Sequence, residues 1–139
     1  MSETHTDIQI LATKVPDDER LEFLPQHFGR RMLRFEHSVF SHLARLSEGY
    51  RGGYWHFYNL SNGGCYMAPQ RGPWHLINAV NHFDGTVSAD AAGIIATLYA
   101  LSHLAGEYEG EKIFSTRFHQ LRDFAMTHAE RTLILRAID

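Results

Sequence analysis

A twenty-residue stretch near the middle of the chain, Tyr50–Pro69 (YRGGYWHFYNLSNGGCYMAP), constrains the fold more than any other segment. Aromatic side chains crowd residues 54–60, and such residues suit a pleated, half-buried strand. Asn62-Gly63 then supplies two residues that tolerate positive φ, as a two-residue type I′ turn requires. That turn sets Ser61 opposite Gly64, Leu60 opposite Cys65, Tyr58 opposite Met67 and Phe57 opposite Ala68. Alternation places Trp55, Phe57, Asn59, Tyr66 and Ala68 on one face, with Tyr54, His56, Tyr58, Leu60, Cys65 and Met67 on the other. Both faces carry large apolar groups, so at least one packs on helices. The other is partly covered or offers an interaction surface. Two strands alone are marginal in water, which calls for a third, and Trp74–Val80 (WHLINAV) is the candidate.

Helical periodicity surrounds this block. Pro16 followed by Asp17, Asp18 and Glu19 reads as a helix start, its acids at the positive end of the dipole. That helix is expected to stop near Pro25. Met32, Phe35, Val39, Leu43 and Leu46 recur at spacings of three and four, predicting a second helix over about 30–46. Asp84-Gly85 marks a turn. Ser88 or Asp90 then caps a third helix reaching about Ala105, with Gly106 as its C′ residue. Ile94, Ile95, Leu98, Leu101 and Leu104 make this helix apolar nearly all round, and Gly93, Ala96 and Ala100 permit close contact. It reads as the centre of the core. A fourth helix is expected over about 111–128, with Ile113, Phe114, Phe118, Leu121, Phe124 and Ala125 inward, followed by a short terminal one. The predicted class is α+β: a small antiparallel sheet of about three strands packed with four to five helices.

At 139 residues the chain is expected to form one domain, residues 1–139, able to bury roughly 68% of its unfolded surface. A polar, acidic start (MSETHTD) shows no secretory pattern, and the uncharged run 91–106 falls short of the roughly 20 residues needed to span a bilayer. One cysteine allows no internal disulfide, so a reducing, cytoplasmic setting is expected. Thirteen basic and sixteen acidic residues, interleaved, give a net charge of −3. That is too weak and too mixed to imitate duplex DNA, which carries roughly one charge per 1.7 Å. It also lacks the basic stripe of a general DNA binder. The ten histidines would carry the charge from −3 to +7 on full protonation, so the surface potential responds near pH 6.

Chemistry is hard to assemble from these residues. His37 and His42 lie five apart and turn to different sides of a helix, while His119 and His128 would sit about 13 Å apart along one. Neither spacing suits a shared metal ion. Cys65 with His56 and Asp90 is the candidate nucleophilic set, because the register above gives Cys65 and His56 a common face. Against it, Cys65 sits mid-strand among aromatics, away from any helix N-terminus that would stabilise a thiolate. No GxSxG elbow is present, and Arg51-Gly52-Gly53 lacks phosphate-loop spacing. Asp90 is better read as a helix-start residue. No cofactor and no catalytic residue is assigned.

Three blocks, YRGGYWHFYNLSNGGCYMAP, SADAAGIIATLYALSHLA and LRDFAMTHAERTLILRAID, resemble the ArdB/KlcA antirestriction family, in that order along the chain. Residues 1–13 and 106–116 carry little of the likeness. The resemblance implies an accessory protein of plasmids, prophages and genomic islands that protects incoming DNA from type I restriction endonucleases while sparing methylation. The expected mode is non-catalytic and does not mimic DNA, with a protein partner in the restriction complex or a host factor, no strong direct DNA binding, and no membrane. Candidate contact residues are Trp55, Asn62 and Tyr66 on the hairpin, and Arg136 and Asp139 at the C-terminus. Two other readings stay open: a small enzyme using Cys65 and His56, and a nucleic-acid-binding module that stacks bases on the hairpin aromatics.

Overall fold

In the computed structural model, which describes residues 9–139, the core is centred on one helix, α3 (Ala89–Glu107). Ser88 caps it, its hydroxyl accepting from the Ala91 N–H at 3.1 Å. Each residue from Ala91 to Leu98 is buried, with Ala100, Leu101 and Leu104 beyond them. This matches the all-round apolar pattern and confirms the helix as the core's centre. It runs on through Gly106 to Glu107, past the expected stop. Its last turn is tied down by Arg34, which makes a two-pronged pair with Glu107 at 2.6 and 3.2 Å.

The hairpin strands are β2 (Trp55–Leu60) and β3 (Cys65–Pro69), with β1 (Ala12–Lys14) on the far side of β2. Their register differs from the expected one by a residue: Tyr58 pairs with Tyr66, Phe57 with Met67 and Asn59 with Cys65. Ser61-Asn62-Gly63 form a three-residue loop, closed by the Gly63 N–H to Leu60 carbonyl bond at 3.0 Å and the Leu60 N–H to Gly64 carbonyl bond at 2.9 Å. Only Gly63 takes positive φ (94°), because Asn62 spends its side chain bonding the Gly64 N–H at 3.0 Å. The extra loop residue turns β3 over, so Tyr66 shares a face with Tyr58, and Cys65 and Met67 share one with Trp55 and Phe57.

Trp74–Val80 does not supply the third strand. β4 (Trp74–Asn78) instead pairs antiparallel with β5 (Phe83–Val87) in a separate two-stranded sheet. The free edge of β3 is already taken: the Thr97 hydroxyl of α3 meets both the Met67 N–H (3.3 Å) and the Met67 carbonyl (3.4 Å). The other edge of β2 holds β1, whose Val15 neighbour donates on to the Phe57 carbonyl at 2.8 Å. Asp84-Gly85 likewise falls inside β5, the turn being made by residues 79–82 with His82 at φ 63°.

Helix α1 (Arg20–Phe28) passes through Pro25 rather than stopping there, carried by Phe23 and Phe28, which are buried on either side of it. Phe23 stacks on Phe57 at 4.5 Å, and Phe28 stacks on Phe35 at 3.9 Å. The stripe of α2 (Met32–Leu46) is as expected, with Phe35, Val39, Leu43 and Leu46 buried. Helices α4 (Ile113–Ala125) and α5 (Arg131–Ile138) close the other side of α3. The architecture is α+β, a three-stranded antiparallel sheet packed with five α-helices, plus the β4–β5 pair.

Candidate interaction surfaces

The hairpin aromatics face inward more than the sequence suggests. Trp55 is 3% exposed and Tyr66 1%. The indole of Trp55 donates to the Tyr50 hydroxyl at 3.0 Å and meets Phe40 edge-on. Asn62 is half-buried against α4: its amide donates to the Gln120 carbonyl at 2.9 Å, and the Gln120 amide donates back to the Asn62 carbonyl at 2.9 Å. This reciprocal pair fixes the loop to the helix, a partner that fifty-eight residues of separation hid from the sequence.

Tyr66 belongs to a network around the start of α3. Its hydroxyl donates to Asp90 Oδ1 at 2.7 Å, and His128 Nε2 bonds Asp90 Oδ2 at 2.8 Å. The Glu130 N–H donates to His128 Nδ1 at 2.9 Å, so Nδ1 is the acceptor and Nε2 carries the proton given to Asp90. Glu130 in turn accepts from the Ser88 hydroxyl and from the Ser88 N–H. Burial first, and the Asp90 charge second, push the Tyr66 hydroxyl well above its ordinary range. Both nitrogens of His128 are engaged, leaving no lone pair to act as a base. The network pins β3 and the α4–α5 connection to the head of α3. Asp90 is therefore more than a helix-start residue, and nothing local in the sequence pairs it with His128.

The proposed thiol set is not assembled. Asn59, not Leu60, lies opposite Cys65, which puts His56 and Cys65 on opposite faces of the hairpin. Cys65 is fully buried, and burial pushes its thiol from near 9 up to about 12. Among the described residues, no group of three or more histidine, cysteine, aspartate or glutamate side chains could hold a metal ion. His42 stacks on Tyr99 at 5.8 Å, with Nδ1 against the Ser38 carbonyl at 2.8 Å.

A short ladder of rings runs along β2 and the residue before it. Tyr54, His56 and Tyr58 follow one another with ring centres 5.4 and 6.5 Å apart, and Tyr58 stacks on Tyr66 at 4.7 Å. Lys14 lies beside Tyr58 across the β1–β2 pair, and the Arg20 guanidinium caps the Tyr54 ring at 4.5 Å. Desolvation, then the nearby Lys14 and Arg20 charges, lower the His56 imidazole from its ordinary value. At the C-terminal end of the chain Arg136 and Asp139 are exposed. The end of α5 that carries them is anchored by Tyr99, whose hydroxyl donates to the Ala137 carbonyl at 2.7 Å, and by Asn81, which donates to the same oxygen at 3.0 Å. Of these hairpin rings Tyr54 is exposed and His56 and Tyr58 are half-buried, whereas Trp55 and Tyr66 are buried.

Comparison with known proteins narrows the reading. A family profile described as "Antirestriction protein" matches residues 48–139. The chain is 49% identical to an antirestriction protein KlcA of Escherichia coli, over 96% of this chain and 99% of that protein. It is 41% identical to the uncharacterized protein YafX of Escherichia coli strain K12, over 96% of this chain and 90% of that one. Among solved structures it superposes with a TM-score of 0.88 and 44% identity, over the whole of both chains, on one from work describing KlcA and ArdB proteins. Those proteins show a novel fold and antirestriction activity against Type I DNA restriction systems in vivo but not in vitro.

Proposed function

Because this chain belongs to the antirestriction protein family, we propose that it protects incoming plasmid or phage DNA from type I restriction endonucleases by contacting a protein, without imitating DNA and without catalysis. The observation that carries the non-catalytic part is that the thiol and the Asp90–His128 pair are each closed into structural roles. Cys65 is a fully buried thiol held up to about 12. Asp90 and His128 are committed to one another, to Tyr66 and to the Glu130 backbone. A net charge of −3 with interleaved signs argues against DNA mimicry. The solved relatives act in vivo but not in vitro. This favours a target that exists only in cells, either a host factor or a working state of the restriction complex such as its translocating form.

The test is to plate unmodified phage on hosts with and without a type I restriction system, each with and without this protein. Plating rises toward the unrestricted level only in the restricting host that expresses it. Equal plating with and without the protein in that host contradicts the reading.

A further inference from the structure

The two sheets have four outer edges, and they differ in what lies along them. Thr97 meets the outward main-chain groups of β3 at Met67. β1 is three residues long and ends on the exposed Lys14, a common way of blunting an edge. β5 packs against α5. Among the described residues, the main chain of β4 (Trp74–Asn78) forms no hydrogen bond outside its pairing with β5, and α2 and α3 pack beside it.

A groove of about 900 Å³ lies along that strand. One wall is residues 73–80; the other is residues 45–49 at the end of α2, with Tyr99 from α3. Trp74 and Asn78 border it, as do His75 and Ile77 from the opposite face of β4, while β5 contributes nothing. Side chains from both faces of one strand meet only along that strand's edge. Its rim carries apolar groups with no internal partner, Ile77 at 47% exposure and Val80 at 91%.

We propose that this groove is the contact site for the partner protein, taking an extended segment of it as an added strand on β4. The occupant follows from the lining. A row of unpaired main-chain N–H and C=O groups is matched by another extended main chain at about 4.8 Å. Apolar side chains on one face of the segment meet Ile77, and those on its other face meet Trp74. A polyanion has no such complement here, since the charged lining is Arg45 and Glu48, one of each sign. The identity of the partner, a component of restriction or a host factor, rests on the function proposed above; the strand-accepting groove does not.

The test has two arms. In the first, a random-peptide phage-display library is selected against the full protein, and selected peptides are titrated into isotope-labelled protein while backbone amides are followed. Shifts centred on residues 45–49 and 74–80, with affinity about tenfold weaker in Ile77→Lys and restored in Ile77→Val, support the groove. Shifts elsewhere, no selected peptide, or groove shifts that depend on protein concentration alone overturn it, the last pointing to self-association. The second arm repeats the phage plating with Ile77→Lys, whose half-exposed position leaves the fold intact by thermal melting. Loss of protection with wild type active supports the proposal; full protection by Ile77→Lys overturns it and leaves the antirestriction reading standing. If wild type gives no protection, that reading fails, and the first arm alone decides the groove.

Discussion

His27 shows how one buried nitrogen sets a pH limit. Its Nε2 bonds Asn59 Oδ1 at 2.6 Å, while Nδ1 is buried with no partner. Protonation would place an unmatched N–H there, so burial lowers the imidazole from its ordinary 6.5, with the Asn59 bond opposing in part and Arg117 adding to the depression. His42 is lowered too, again chiefly by burial. For a base with a depressed folded value, stability is complete above the unfolded value and is lost as pH falls through the folded one. Thermal melting should therefore weaken as pH drops below about 6.5. His27→Gln, which can still donate to Asn59, should flatten that decline; an unchanged slope would contradict the assignment. Cys65 and Tyr66 act at the alkaline end. Their raised values keep stability complete below the unfolded value and remove it as pH climbs through the folded one, from near 9 upward for the thiol. Native Cys65 should resist thiol reagents at pH 8 until the chain unfolds, and Cys65→Ala should cost about 1 kcal/mol and reduce the alkaline loss. The sequence marked Cys65 as structural from its neighbours alone. It could not mark His27 or His128, because Asn59 and Asp90 reach them only through the fold.

At the scale of elements, the hairpin and α3 carry separate predictions. Asn62→Ala removes the bonds to the Gln120 carbonyl and the Gly64 N–H, and should cost about 1–2 kcal/mol by denaturant melting. Gln120→Ala should cost a similar amount, and the double variant less than the sum, since the two residues bond one another. Gly93→Ala is more severe. An added Cβ would lie 2.3 Å from the Met67 carbonyl oxygen and 2.5 Å from Ala68 Cβ, contacts that only movement of β3 could relieve. A loss of about 3 kcal/mol is expected, and a well-folded Gly93→Ala protein of native stability would contradict the packing described. The strands and helices were legible from alternation and from spacings of three and four. The hairpin register was not, because Asn-Gly suits a type I′ turn and also the three-residue loop that Gln120 selects. Nor was the pairing of Trp74–Asn78, since nothing near it announces that Thr97 has sealed the edge of β3.

At the scale of the molecule, an apolar helix threaded through an α+β shell leaves little room for a reactive centre. Sequence reasoning reached the class and the central helix because burial of α3 is written in its composition. The contact residues were less legible. Aromatic density on a strand does not tell which face is inside, and the structure buries Trp55 and Tyr66 while leaving Tyr54 exposed and His56 and Tyr58 half-buried. Arg136 and Asp139 are exposed and stay candidates for partner contact. The central claim is that this scaffold relieves type I restriction through contact alone. The most direct measurement is plating of unmodified phage on a restricting host that expresses Cys65→Ala at wild-type levels, with folding checked by thermal melting. Protection equal to wild type is the expected result. A folded Cys65→Ala protein that no longer protects would contradict the claim and return the thiol to consideration as a reacting group.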